Sequence, residues 1–228
     1  MTFAEKFYQN FIEADRYMYI VTGLKNTFIV TTFAVLLGIF LGFLVAIIRS
    51  TSDKTGKLKF LDFLCRIYLT VIRGTPAMIQ LLIMFYVVFV DYNNKVLVAV
   101  VTFGINSGAY VAEIVRSGIM SIDNGQFEAG RSLGFTYTKT MWFIVMPQAF
   151  KNMLPALINE FIVLLKETSI CGTIGLMELT RGGDIIRSRT YEAFLPLIAV
   201  AIIYLVIVMG LTYILGKVER RLRKSDIR

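Results

Sequence analysis

Apolar residues run without a charge through residues 27–48 and again through 193–216, stretches of 22 and 24 residues. A helix rises about 1.5 Å per residue and a bilayer core is about 30 Å thick, so each stretch is long enough to span it. Three further apolar stretches are broken by polar groups. Residues 60–90 include Asp62, Arg66 and Arg73, residues 96–115 include Asn106, Ser107 and Glu113, and residues 152–171 include Asn159, Glu160, Lys166 and Glu167. The pattern predicts five transmembrane helices, the outer two facing lipid and the middle three lining something polar. The fold class expected is all-α and integral to the membrane, with residues 1–228 as one transmembrane domain.

Composition supports that reading. Hydrophobic residues make up 56% and charged residues 18% of the chain, against about 45–50% and about 25% in soluble domains. Mean hydropathy is +0.67. Histidine is absent, which removes the commonest general base and a common metal ligand, and no metal site is expected. Cys65 and Cys171 lie in or beside apolar runs and make no CxxC pair.

Charge sets the orientation. Segments 49–59, 116–151 and 217–228 carry 14 Lys and Arg residues, against 7 in segments 1–25, 91–95 and 172–192. Basic connections stay on the cytoplasmic side, so the N-terminus is expected outside and the C-terminus inside. The net charge of +8 then reports topology, not nucleic-acid binding, and the basic tail at 217–224 suits contact with lipid headgroups. Residues 1–25 lack the apolar run of a signal peptide. Phe3, Phe7 and Phe11 recur at helical spacing, which fits either an interfacial helix or a packed N-terminal arm.

Segment 116–151 is the longest inner loop and has helix punctuation. Asp123 is a candidate cap with Gln126 three residues on, and Gly134 a stop. A second short helix is expected from Thr138, ending before Pro147. Small residues at Ala129 and Gly130 would allow close approach to a partner's groove, or the segment is a plain surface hairpin.

Glu128-Ala129-Gly130, then Gly134 four residues on, and Ile144-Val-Met-Pro147 after nine more, together resemble the EAA loop of ABC importer permease subunits. Gly130 stands for that motif's third alanine and Met146 for its leucine. Arg73-Gly-Thr-Pro76 with Gln80-Leu81-Leu82, Ala109-Tyr110-Val-Ala-Glu113, Gly125-Gln126 and Leu164-Leu165-Lys166-Glu-Thr168 resemble the polar-amino-acid branch. The resemblance covers residues 20 to 220. It implies the type I ABC importer permease class in a prokaryotic inner membrane, working by alternating access. The implied partners are a second permease, identical or paralogous, a cytoplasmic ABC ATPase dimer and an external amino-acid-binding protein. Glu128, Ala129, Gly130 and Gly134 would form the ATPase-coupling helix, with Glu128 near its N-terminal end. The chain has no GxxxxGK[ST] loop, so ATP and Mg would be used by the partner ATPase and no cofactor is expected on this chain. By the same resemblance, segment 172–192 forms part of an external gate, where Gly182 and Gly183 permit a turn.

Glu160 lies eight residues into its span, about 12 Å deep, and Arg73 thirteen into its own, about 20 Å. They bracket a midplane near 15 Å. Glu160 shares a helical face with Leu164, with Asn159 adjacent. Pro76 cannot donate to the Ile72 carbonyl, so a kink is expected there. A polar pocket between the second, third and fourth helices follows, with Glu160, Asn159, Leu164, Arg73 and Asn106 as candidate substrate contacts. Arg73 either answers a substrate carboxylate or pairs with Glu113 or Glu160. Glu160 contacts a basic substrate, sits in a fixed ion pair, or is neutral. The reading expects import of arginine, lysine or histidine, with glutamine as the competitor. An ion-coupled carrier using Glu160, Glu113 and Lys166 is the rival mechanism. A membrane enzyme is excluded for want of a nucleophile and base.

Overall fold

The computed structural model describes residues 2–226, and among them there is no strand. The helices in chain order are α1 (Phe3–Phe7), α2 (Tyr17–Thr55), α3 (Lys59–Gly74), α4 (Ala77–Ile83), α5 (Lys95–Met120), α6 (Asn124–Ser132), α7 (Tyr137–Thr140), α8 (Met146–Glu167), α9 (Leu179–Thr190) and α10 (Phe194–Asp226). Three wider helical turns, Tyr8–Ile12, Met84–Val88 and Met141–Val145, continue α1, α4 and α7.

By length and apolarity, α2, α5 and α10 can each cross a membrane outright. The stretch expected as one span at 60–90 is two helices bent by 108°. Thr75 (φ −121°, ψ 144°) and Pro76 (φ −62°, ψ 136°) are both extended, as the proline ring demands of its own φ and of the residue before it. The expected kink is therefore a full break. The remaining expected span, α8, has 22 residues, about 33 Å of helix, and carries six charged or amide side chains from Lys151 to Glu167.

The core is organised on a seam between α2 and α5. A Cβ at Gly38 would sit 2.8 Å from the Ser107 side chain, and one at Gly42 would sit 2.5 Å from Val111 Cγ1. From the other side, a Cβ at Gly104 would meet Leu37 at 2.6 Å. Two small-xxx-small ridges thus interlock, and burial of Ala34, Ala46, Phe103 and Val111 follows. The first long helix is not simply a lipid-facing element. Phe33, Leu36, Phe40, Leu44 and Ile47 are exposed along one stripe while the opposite face is core. α10 exposes Leu205, Val206, Met209 and Tyr213 and suits lipid contact.

Near its N-terminal end α2 crosses α9 backbone to backbone. A Cβ at Gly182 would lie 2.5 Å from Tyr19 O, and one at Gly23 would lie 2.5 Å from Glu178 O. The expected turn at Gly182–Gly183 is thus replaced by a helix in which both glycines are buried. The N-terminal arm docks beside it, where Thr190 Oγ1 donates to the buried Asn10 Oδ1 at 2.8 Å. Phe3, Phe7, Tyr8 and Ile12 remain exposed.

Candidate translocation cavity and coupling elbow

A cavity of about 690 Å³ opens between α3, α5, α8 and the C-terminal part of α10. Arg73 closes α3 at its last turn, Tyr110 and Glu113 come from α5, and Asn152 and Glu160 come from α8. Arg73 Nη1 lies 3.4 Å from Glu113 Oε2, with both side chains about two-fifths exposed, and its guanidinium sits 5.9 Å from the Tyr110 ring centroid. Glu160 is held differently. Ser107 Oγ donates to its Oε1 at 2.8 Å, across the helix pair, and Ser107 itself is fully buried. Among the described residues no Lys or Arg nitrogen lies within ion-pair distance of the Glu160 carboxylate. The fixed-pair arrangement belongs to Arg73 and Glu113.

The candidates named from sequence separate here. Glu160 and Arg73 line the cavity. Leu164 is buried in a core cluster with Phe103 and Cys171, away from the cavity wall. Asn159 is exposed on α8 in line with Asn152, at the margin of the face that lines the cavity, and is not itself part of the wall. Asn106 is 3% exposed and donates to Gln80 Oε1 at 2.9 Å. Gln80 Nε2 in turn donates to Ile72 O at 2.8 Å and to Thr75 O and Oγ1 at 3.1 and 2.8 Å. The carbonyl freed by Pro76 is thus satisfied by a side chain reaching back from α4, as a helix break in a low-dielectric setting requires. Sequence reasoning identified the freed carbonyl but not its partner. Ser107 was also missed, although its place between Gly104 and Gly108 marked it as seam-facing.

Residues 121–145 form a capped elbow. Asp123 Oδ1 accepts from Gly125 N at 2.6 Å and caps α6. Gln126 does not complete a capping box, and instead accepts from Gln148 Nε2 of α8 at 3.2 Å. Gly134 has φ +77°, and Phe135 N donates to Gly130 O, so α6 ends in a left-handed cap. Glu128 and Ala129 are exposed, but Glu128 is the fifth residue of α6, beyond the first turn where the helix dipole favours an acid. Gly130 faces inward, because a Cβ there would meet Thr140 Cγ2 at 2.5 Å. Its smallness serves the packing of α6 on α7. Phe127 stacks on Tyr137 at 6.2 Å. The second inner helix begins at Tyr137, and the chain then stays helical through Met141–Val145 into α8, with Pro147 in the first turn of α8. The wider turn at Met141–Val145 directly precedes Pro147, so the helix passes the proline where its regular hydrogen-bond ladder is already interrupted. One continuous rod therefore links the elbow to Glu160.

Between α8 and α9, Glu178 caps α9, accepting from Thr180 N and Arg181 N, both at 2.6 Å. It is 1% exposed, and burial pushes its carboxyl up to about 7 against the two backbone donors.

A break midway along an apolar-rich segment, a cavity beside it and a capped elbow at one end of it suit a membrane transport subunit. Residues 34–224 match the model of the binding-protein-dependent transport system inner membrane component family, and the chain belongs to that family. The arginine transport system permease protein ArtQ of Bacillus subtilis (strain 168) is 37% identical over 211 residues, covering 91% of this chain and 94% of ArtQ. The glutamine transport system permease protein GlnP of Escherichia coli (strain K12) is 34% identical over 208 residues, covering 90% and 93%. A solved amino acid ABC transporter crystallised with histidines is 40% identical, with a TM-score of 0.84 over 92% of this chain and 98% of that one. The inward-facing MetNI methionine ABC transporter, at 19% identity, shares the fold with a TM-score of 0.79 over 90% and 97%. The chain is thus an ABC importer permease subunit of the type I fold, and ATP hydrolysis falls to a separate ATPase.

Proposed function

We propose that this permease subunit carries basic amino acids, with Glu160 as the group that receives the cationic side chain. The observation that supports the reading is a carboxylate at the cavity wall, anchored by Ser107 and with no described Lys or Arg nitrogen at ion-pair distance. A guanidinium or ammonium entering the cavity would supply the charge-assisted hydrogen bonds that the wall lacks. Arg73, balanced by Glu113, would receive the substrate's carboxylate by exchanging one carboxylate partner for another. Glutamine is the competing cargo, since relatives named for both arginine and glutamine transport have similar identity to this chain.

In this reading the N-terminus lies outside and the elbow faces the cytoplasm. Two ATPase subunits, using ATP and Mg, would close on one another and draw the α6 helices of two permease chains together. The α7–α8 rod would then tilt and change which side the cavity faces. The exposed α8 positions Asn159 and Lys166, beside the cavity wall, would turn toward the second permease, identical or paralogous. An external binding protein would deliver the amino acid at α9. ATP-dependent uptake by the reconstituted complex tests the cargo. Glu160→Gln should lower arginine uptake about tenfold or more, the scale of a lost charged hydrogen bond, and spare glutamine. Undiminished arginine uptake would overturn the assignment.

A further inference from the structure

A second cavity, of about 420 Å³, lies away from the translocation cavity, where α2, α5 and α6 meet. Its polar lining is Arg49 and Ser50 of α2, Arg116 of α5 and Asn124 of α6, with one acid, Asp53. Asp53 Oδ1 already faces Arg66 Nη2 at 3.6 Å. Arg49 is directed at the buried Asp62, 3.5 Å from Nε to Oδ1, and its Nε makes no hydrogen bond. Among the described residues Arg116 makes no ion pair. The rest of the wall is apolar, from Ala46, Ala112, Ile119 and Met120.

Depth decides what such a cavity can hold. Arg116 follows the outer end of α5 at Lys95 by 21 residues, about 32 Å along the helix, so it lies at the far edge of a hydrocarbon core of about 30 Å. Met120 of the wall is itself exposed and Ile119 lies beside it, so the cavity has an apolar rim at that depth over which an acyl chain can lie while its headgroup meets the two arginines. Basic pockets between transmembrane helices at the cytoplasmic surface are suited to anionic lipid headgroups.

We propose that this cavity holds the phosphate of an anionic phospholipid of the inner leaflet, bridged by Arg49 and Arg116. The inner-side placement rests on the orientation proposed above. Because Asn124 opens α6 and Phe127 of the same helix lines the cavity, the lipid ties the coupling helix to the α2–α5 seam. The site is thereby a point at which membrane composition acts on the elbow.

The test uses the full-length permease, delipidated in detergent and titrated by native mass spectrometry with phosphatidylglycerol, phosphatidylcholine or inorganic phosphate. One phosphatidylglycerol per chain should bind preferentially, and Arg116→Gln should weaken it about fivefold, the scale of one basic residue near an anionic surface. Asn124→Glu, which places a carboxylate at an exposed position of the rim, should weaken it similarly and serves if Arg116→Gln does not fold. Inorganic phosphate should not displace the lipid. Equal retention of phosphatidylcholine, unchanged affinity in a folded variant, or displacement by free phosphate would each overturn the proposal. Failure of arginine specificity in the Glu160→Gln assay would leave it standing.

Discussion

Replacing Gln80 by leucine tests how the break at Pro76 is held. In the wild type one amide donates to Ile72 O and to Thr75 and accepts from Asn106, which is 3% exposed. Leucine is similar in size but removes every one of those bonds. The Asn106 amide is then buried without its partner, and the Ile72 carbonyl loses its donor. A buried unsatisfied group costs about 1–3 kcal/mol, so a loss of about 3 kcal/mol is expected from the two together. For a chain of this size that is a fall of about 10 °C in the apparent unfolding midpoint, readable by thermal-shift fluorescence in detergent. The double variant Gln80→Leu with Asn106→Leu should recover part of the loss, because the stranded amide has gone as well. Strictly additive effects, or a midpoint within about 2 °C of wild type for Gln80→Leu, would show that the network does not hold the break.

Gly42→Leu should prevent α2 from seating on α5, since even a Cβ there would approach Val111 Cγ1 to 2.5 Å; loss of monodisperse protein on size-exclusion chromatography is the expected readout. Glu178 gives a pH dependence. Its folded value of about 7 stands above the ordinary 4.5, so between those values the folded chain keeps a proton that the unfolded chain releases. Its contribution to stability is full below about pH 4.5, declines as pH rises to about 7, and levels off beyond. Midpoints measured from pH 4.5 to 8 should show that decline in wild type and a flatter profile in Glu178→Gln.

The apolar runs made the outer spans legible, because lipid imposes length and hydropathy on a helix whatever it packs against. Glu160 and Arg73 were legible as cavity residues because ionisable groups at mid-depth need a polar surround. The same reasoning did not separate them from Asn159, Leu164 and Asn106, since which face of a helix meets its neighbour depends on partners far away in the chain. Asn106 is taken up by Gln80, 26 residues earlier, and Glu160 by Ser107, 53 residues earlier. Gly130 and Gly182–Gly183 were misread for a related reason. A glycine signals close approach or a turn with equal force, and only the packing of Thr140, Tyr19 and Val200 against them decides. Pro147 was read as a stop, whereas the wider turn at Met141–Val145 just before it lets the helix continue.

The central claim is that force applied at the α6 elbow by a separate ATPase moves the cavity at Glu160. It is tested most directly by reconstituting the permease in liposomes with and without its ATPase, supplying binding protein and labelled arginine, and measuring accumulation against a gradient. Accumulation should require both the ATPase and ATP, and should survive an uncoupler. Uphill uptake by the permease without the ATPase, or its collapse by the uncoupler while ATP is held constant, would contradict it.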